Sequence, residues 1–185
     1  MTDRTAAPIA ELAASLARVS QGDGQTAEVV RWLRAVSDLA CTIPVPQTCD
    51  ANRRYTRTLI HRCEQFEILA LHWQPNSITA IHDHGGALCW LAVASGTIGI
   101  ENYLRYDGCA IPGYARIGLE GRATLEAGAI DYRQDDVHLH RCITGPDAAV
   151  SLHVYAHPIE RFNAFDERNS SCTTVTTTYD AIYAT

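Results

Sequence analysis

Residues 76–96, NSITAIHDHGGALCWLAVASG, carry the reading on which the fold turns. They suggest two short strands, over 78–84 and 87–95, with Gly96 as a turn residue after them. Successive side chains on a strand point to opposite faces, so His82 and His84 share one face. That is the geometry for two imidazole nitrogens on a single metal ion. A lone His-x-His pair is common on protein surfaces, so the weight lies in what accompanies it.

Two further stretches repeat the arrangement. VHLHR at 137–141 puts His138 and His140 on one face of a strand. SLHVY at 151–155 puts Ser151, His153 and Tyr155 on one face and Leu152 and Val154 on the other. A polar face on a barrel strand faces either solvent or a functional interior. Of the eight histidines, only His61, His72 and His157 lie outside these three strands. Imidazole suits Fe, Zn, Cu, Ni and Co alike, so spacing alone chooses no metal. Alternation likewise leaves open which of His138 and His140 is a ligand.

The pattern extends outward from there. Strand candidates are 54–60, 66–73, 97–104, 114–118, 122–127, 129–133, 137–143, 149–156 and 173–179. Turn signals at Gly96, Gly108, Pro112-Gly113, Gly121, Gly128 and Gly145-Pro146 separate several of them. Two helices are expected before them, over 8–20 and 26–40, divided by Gly22-Asp23-Gly24. In the second, Val29, Trp32, Leu33, Val36 and Leu39 recur at helical spacing. Many short strands after two helices imply a mainly β barrel or sandwich with a helical cover. The expected division is a helical cover over 1–45 and the β-barrel over 46–185, in one structural domain.

Composition narrows the function. With 185 residues, 46% hydrophobic and 19% charged, the chain suits one globular domain. The formal charge of −6 and the lack of a long basic block argue against nucleic-acid binding. The local cluster Arg53, Arg54, Arg57 and Arg62 suits a specific anionic ligand instead. All 15 basic residues are arginine, and without lysine any Schiff-base mechanism is excluded. No apolar run approaches the ~18 residues of a membrane helix. The opening MTDRTAAPIAELAASLARVS lacks the apolar block of a signal peptide, so a cytoplasmic location is expected. Seven cysteines, at 41, 49, 63, 89, 109, 142 and 172, form no Cys-x-x-Cys pair. Neither a disulfide framework nor a zinc ribbon is expected, and most are read as free and buried.

The segment from Asn76 resembles the first motif of the cupins. Asn76 stands at the glycine position, then come five residues, His82-x-His84, four residues, Cys89, six residues and Gly96. Typical cupins carry a metal-binding glutamate where Cys89 stands. With Tyr55-Thr56-Arg57, Leu71-His72-Trp73, Leu139-His140-Arg141, Ser151-Leu152-His153-Val154-Tyr155 and Ala164-Phe165-Asp166, the chain resembles the cysteine dioxygenase family of thiol dioxygenases. The resemblance runs from about Arg54 to Tyr179.

It implies a cupin barrel, a double-stranded β-helix, in which His82, His84 and His140 bind Fe(II). Arg57 would hold a substrate carboxylate, with Tyr55 on the same strand face. Tyr155 would stand beside the iron, oriented by Ser151 and His153, and a thioether to Cys89 is possible as in part of the family. The implied reaction is oxidation of L-cysteine by O2 to cysteine sulfinate, with no nucleic acid or membrane as partner. Its alternatives are the same reaction on another small thiol acid, such as 3-mercaptopropionate, and a non-catalytic metal-binding cupin. Several positions depart from the family: His157 where it often has proline, His138 where it has a small residue, Thr177 where it often has methionine, and Phe162 toward the pocket. They bear on the substrate and on the local backbone, where a cis bond is one way to differ.

Overall fold

The run FEILALHW at 66–73 is buried at every position, as a strand covered on both faces must be. The computed structural model describes residues 16, 25–45, 54–108, 111–134 and 138–183. A helix, α1 (Gln25–Val36), buries Val29, Trp32, Leu33 and Val36 on one stripe. It passes into a 3-10 turn over Ser37–Thr42 rather than continuing as α-helix to residue 40. The other expected helix, 8–20, lies outside the described residues except for Leu16, which is helical and packs in the same cluster as α1.

Among the described residues twelve strands follow: β1 (Tyr55–Arg62), β2 (Phe66–Trp73), β3 (Ile81–His82), β4 (Leu88–Ser95), β5 (Thr97–Arg105), β6 (Ile117–Glu126), β7 (Ile130–Arg133), β8 (His138–Thr144), β9 (Ala149–Ala156), β10 (Arg161–Asp166), β11 (Ser171–Thr176) and β12 (Ala181–Ile182). They form two six-stranded sheets, β12-β1-β2-β9-β4-β7 and β11-β10-β3-β8-β5-β6. From β2 to β5 the chain alternates between sheets, and from β6 to β10 it alternates back. Each outgoing strand pairs antiparallel with a returning one: β5 with β6, β4 with β7, β3 with β8 and β2 with β9. This is one long hairpin wound into a double-stranded β-helix, the cupin architecture.

The core has two faces. Phe66, Ile68 and Ala70 of β2 pack outward with α1, Trp90 and Val154. Leu69, Leu71 and Trp73 point inward, with Cys89, Leu91, Cys142 and Tyr155. A charge or polar group on the inward face therefore stands in the barrel interior.

Several expected boundaries change. The candidates 114–118 and 122–127 become the single strand β6, and Gly121 lies within it rather than at a turn. The register there passes from Asn102↔Gly121 to Tyr103↔Leu119, a bulge that absorbs the extra residue. The candidate 78–84 shrinks to Ile81–His82, so His84 stands beyond the strand. Two strands are additional, β10 and β12. The Arg-Phe-Asn-Ala-Phe-Asp sequence of β10 carries little strand propensity, and its pairing with β11 and β3 makes it one. Among the described residues no peptide bond is cis; the departure after Tyr155 is instead a left-handed His157, at φ 73°.

Candidate metal centre and its cavity

His82 and His140 face each other directly across the β3–β8 pair. His84 reaches the same place from the loop after β3. The ring centroids lie 4.7 Å (His82–His140), 4.9 Å (His84–His140) and 5.4 Å (His82–His84) apart. One nitrogen from each ring lies within 4.8 Å of the others. Burial, the largest cause, pushes the pKa of His84 and His140 well below the ordinary histidine value, and lowers that of His82. Neutral rings keep a lone pair for a metal. The Ala80 carbonyl oxygen lies 2.9 Å from His82 Nδ1, which leaves Nε2 of that ring for coordination. The donor set thus fits a divalent transition metal.

Side-chain clamps hold these rings in place. Asp83 is buried and accepts hydrogen bonds from the Asn163 backbone N–H and side-chain amide, both at 2.8 Å. It also accepts from the Gly85 N–H at 3.2 Å, which curls the loop carrying His84. On β8, Arg141 pairs with Glu101 of β5, whose carboxylate also accepts from Tyr103 at 2.9 Å and Arg122 at 2.7 Å. This network fixes the β5–β8 register and with it His140. His138, on the same strand, is exposed and does not line the cavity.

The histidines form one wall of a cavity of about 60 Å3. Tyr55, Arg57, Trp73, Cys142, His153, Tyr155, Phe162 and Thr177 also line it. Trp73 Nε1–H donates to Ser151 Oγ at 2.8 Å. Ser151 Oγ lies 2.8 Å from His153 Nε2, and the Tyr155 hydroxyl 3.2 Å from His153 Nδ1. A continuous hydrogen-bonded row therefore ends on Tyr155 inside the cavity. Burial drives the His153 pKa down to about 3 and that of Tyr155 well up, so both are neutral. Cys89 sits directly across the β4–β9 pair from Tyr155, its thiol pKa also raised well up by burial.

The backbone of Arg57 is pinned by Asp180, whose carboxylate accepts its N–H at 2.8 Å. Its guanidinium lies 3.9 Å from Glu67 and 5.9 Å from the Tyr179 ring centre. Glu67 is wholly buried; it accepts from the Tyr179 hydroxyl at 2.8 Å, while burial raises its pKa against the pull of that bond and of Arg57. The sequence reading assigns no role to Glu67, Trp73, Asp83, Asp131 or Arg133. A lone carboxylate in the apolar run FEILALHW was the available signal for Glu67. For Asp131 and Arg133 it was their spacing of two on a strand.

The sequence model of the family described as Cysteine dioxygenase type I matches residues 3–168. Cysteine dioxygenase type 1 of Rattus norvegicus is 30% identical over 129 residues, 68% of this chain and 62% of that protein. Cysteine dioxygenase type 1 of Danio rerio is 28% identical over 133 residues, 70% of this chain and 65% of that one. The match thus spans just under two thirds of the length of these curated relatives. A solved protein with a double-stranded β-helix domain from Klebsiella pneumoniae superposes with a TM-score of 0.44 at 17% identity, over 70% of this chain and 90% of its own. Since the family match takes in all three facing histidines together with Arg57, Cys89 and Tyr155, the chain belongs to the cysteine dioxygenase type I family.

Proposed function

We propose that this protein is an iron-dependent thiol dioxygenase that oxidises L-cysteine to cysteine sulfinate. The observation that carries the reading is the placement of Arg57 in the same small cavity as the three facing histidines. His82, His84 and His140 would hold Fe(II). When bound, ferrous iron supplies the one-electron chemistry that lets O2 react with a thiolate.

The chain's own groups do the rest. Arg57 anchors the substrate carboxylate through its guanidinium fork and so sets which end of the molecule faces the histidines. Asp83 is the only carboxylate among the cavity-lining residues, and its oxygens are engaged by Asn163 and Gly85. No lining carboxylate is therefore left to pair with an ammonium group, so an amine would enter in its neutral form. In one tautomer, Ser151 donates to His153 Nε2 and His153 Nδ1–H donates to Tyr155. That leaves the Tyr155 hydroxyl proton free to point into the cavity, toward the reacting oxygen. Phe162, edge-on to His82 at 5.7 Å between centroids, and Trp73 exclude water from the reacting side. In the overall change both atoms of O2 end on sulfur and the thiol proton is released. The sulfur supplies the electrons, so no outside reductant enters. A thioether between Cys89 and Tyr155, formed with O2 as oxidant, belongs to the same proposal.

A second substrate, 3-mercaptopropionate, is favoured by the same lack of a carboxylate partner, because it has no amine to place. The deciding experiment loads the protein with Fe(II) under nitrogen and then follows O2 uptake and sulfinate with both thiols. Equimolar uptake with cysteine preferred supports the proposal. Preference for the mercapto acid changes the substrate, and no uptake with either rejects the dioxygenase reading. Intact mass before and after turnover reports the thioether as the loss of two hydrogens.

A further inference from the structure

The three candidate ligands are not supported alike. Behind His82 stands a backbone carbonyl, whereas Nδ1 of His140 is buried without a hydrogen-bond partner, as is Nδ1 of His84. A histidine that ligates through Nε2 is oriented by whatever accepts the proton on Nδ1. Beside His140 the group in place is Asp131, with Oδ2 4.0 Å from Nδ1.

Asp131 lies on β7, opposite Leu91 of β4, and Arg133 lies opposite Cys89. Leu91 and Cys89 belong to the interior cluster, so both charged side chains enter the barrel. They are only 20% and 13% exposed, and Arg133 Nε donates to the same Asp131 Oδ2 at 2.8 Å. An ion pair moved from solvent into a barrel wall loses hydration that its own attraction does not readily restore. Exposed positions on the edge strand β7 would hold the same two charges at less cost. The interior placement therefore needs a reason beyond folding, and the buried, unpartnered Nδ1 of His140 lies 4.0 Å from Asp131 Oδ2.

Resting on the three-histidine reading, we propose that Asp131 is a positioning residue for His140. Its carboxylate accepts the Nδ1 proton, selects the tautomer that offers Nε2 to the metal, and strengthens that nitrogen as a donor. Arg133 holds the carboxylate in place and offsets its charge. A movement of about 1 Å, within the reach of a side chain on an edge strand, turns the present 4.0 Å approach into a hydrogen bond.

The test measures Co(II) affinity by chelator competition, together with the Co(II) visible absorption spectrum, in the full chain. D131N should bind Co(II) about tenfold more weakly, with an altered spectrum, as expected when the outer partner of a ligand is lost. D131N also leaves Arg133 uncompensated near the metal, and could fail to fold for that reason. The double variant D131N/R133Q removes both charges and answers both points. It should remain about as weak as D131N, while D131E should recover part of the affinity. Unchanged affinity in the double variant overturns the inference, because any loss in D131N then comes from Arg133 alone. Absence of Co(II) binding by the unaltered protein overturns this inference and the three-histidine reading together. Binding without thiol oxidation rejects only the dioxygenase reading.

Discussion

Arg57 is held at both ends, by Asp180 on its backbone and by Glu67 and Tyr179 around its guanidinium. Arg57→Ala removes a charge-assisted contact of about 1.5–3 kcal/mol, so kcat/KM for cysteine should fall roughly 10–100-fold. Cysteamine, which has no carboxylate, should lose little, and equal losses for both thiols would remove Arg57 as the anchor. His153 makes a second residue-level prediction. Its folded pKa is near 3 against an ordinary 6.5, so the unfolded chain binds the extra proton between those values. Stability must then rise with pH across that window and fall as the solution is acidified. Between pH 6.5 and 5 the metal-free protein should lose about 2 kcal/mol from this group alone. Urea unfolding of the unaltered protein and of His153→Asn at the two pH values measures it as the part of the pH dependence that the variant loses, since His82, His84 and His140 add slope of the same sign.

At the scale of elements, the loop after β3 decides the centre. Gly85 adopts φ +59°, and a Cβ there would run into the Arg161 carbonyl at the start of β10. Backbone cannot yield as a flexible side-chain end can. Gly85→Ala should therefore push the loop from β10, destabilise the fold by about 1–3 kcal/mol, and weaken metal binding along with it. Thermal unfolding and metal titration of the same variant check both. Retained metal affinity would mean that the Asp83–Asn163 clamp holds His84 without the close approach. The elements also show how far the sequence was legible. Alternation placed Ser151, His153 and Tyr155 together because β9 is a regular strand paired on both sides. The same rule applied to 78–84 described a strand that ends at His82. His84 converges because the Asp83 turn carries it there.

For the whole molecule, the two sheets bring histidines from β3, the following loop and β8 to one wall and Arg57 from β1 to the same cavity. Bringing three imidazoles together has a cost that is recovered only when a metal occupies them. Fe(II) or Co(II) at one hundred times its dissociation constant should stabilise the fold by about 2.7 kcal/mol, and a chelator should reverse it. A thermal scan with and without the metal measures this, and His140→Ala should abolish the gain. Among the described residues, no helix is long and apolar enough to cross a membrane.

The sequence by itself determined the mainly β class, the amphipathic stripe of α1, the shared face of Ser151, His153 and Tyr155, and the family motifs. All of these depend on local spacing, which the two-residue strand period and the 3.6-residue helix period translate directly into geometry. Tertiary structure decided what pairing across long sequence separations controls. His140 rather than His138 lines the cavity because the register sets His140 against His82. The lone residues of β10 became a strand because β3 and β11 offered free edges on either side. Glu67 stands beside Arg57, and Asp131 beside His140, because sheet packing brings together charges that no local pattern connects.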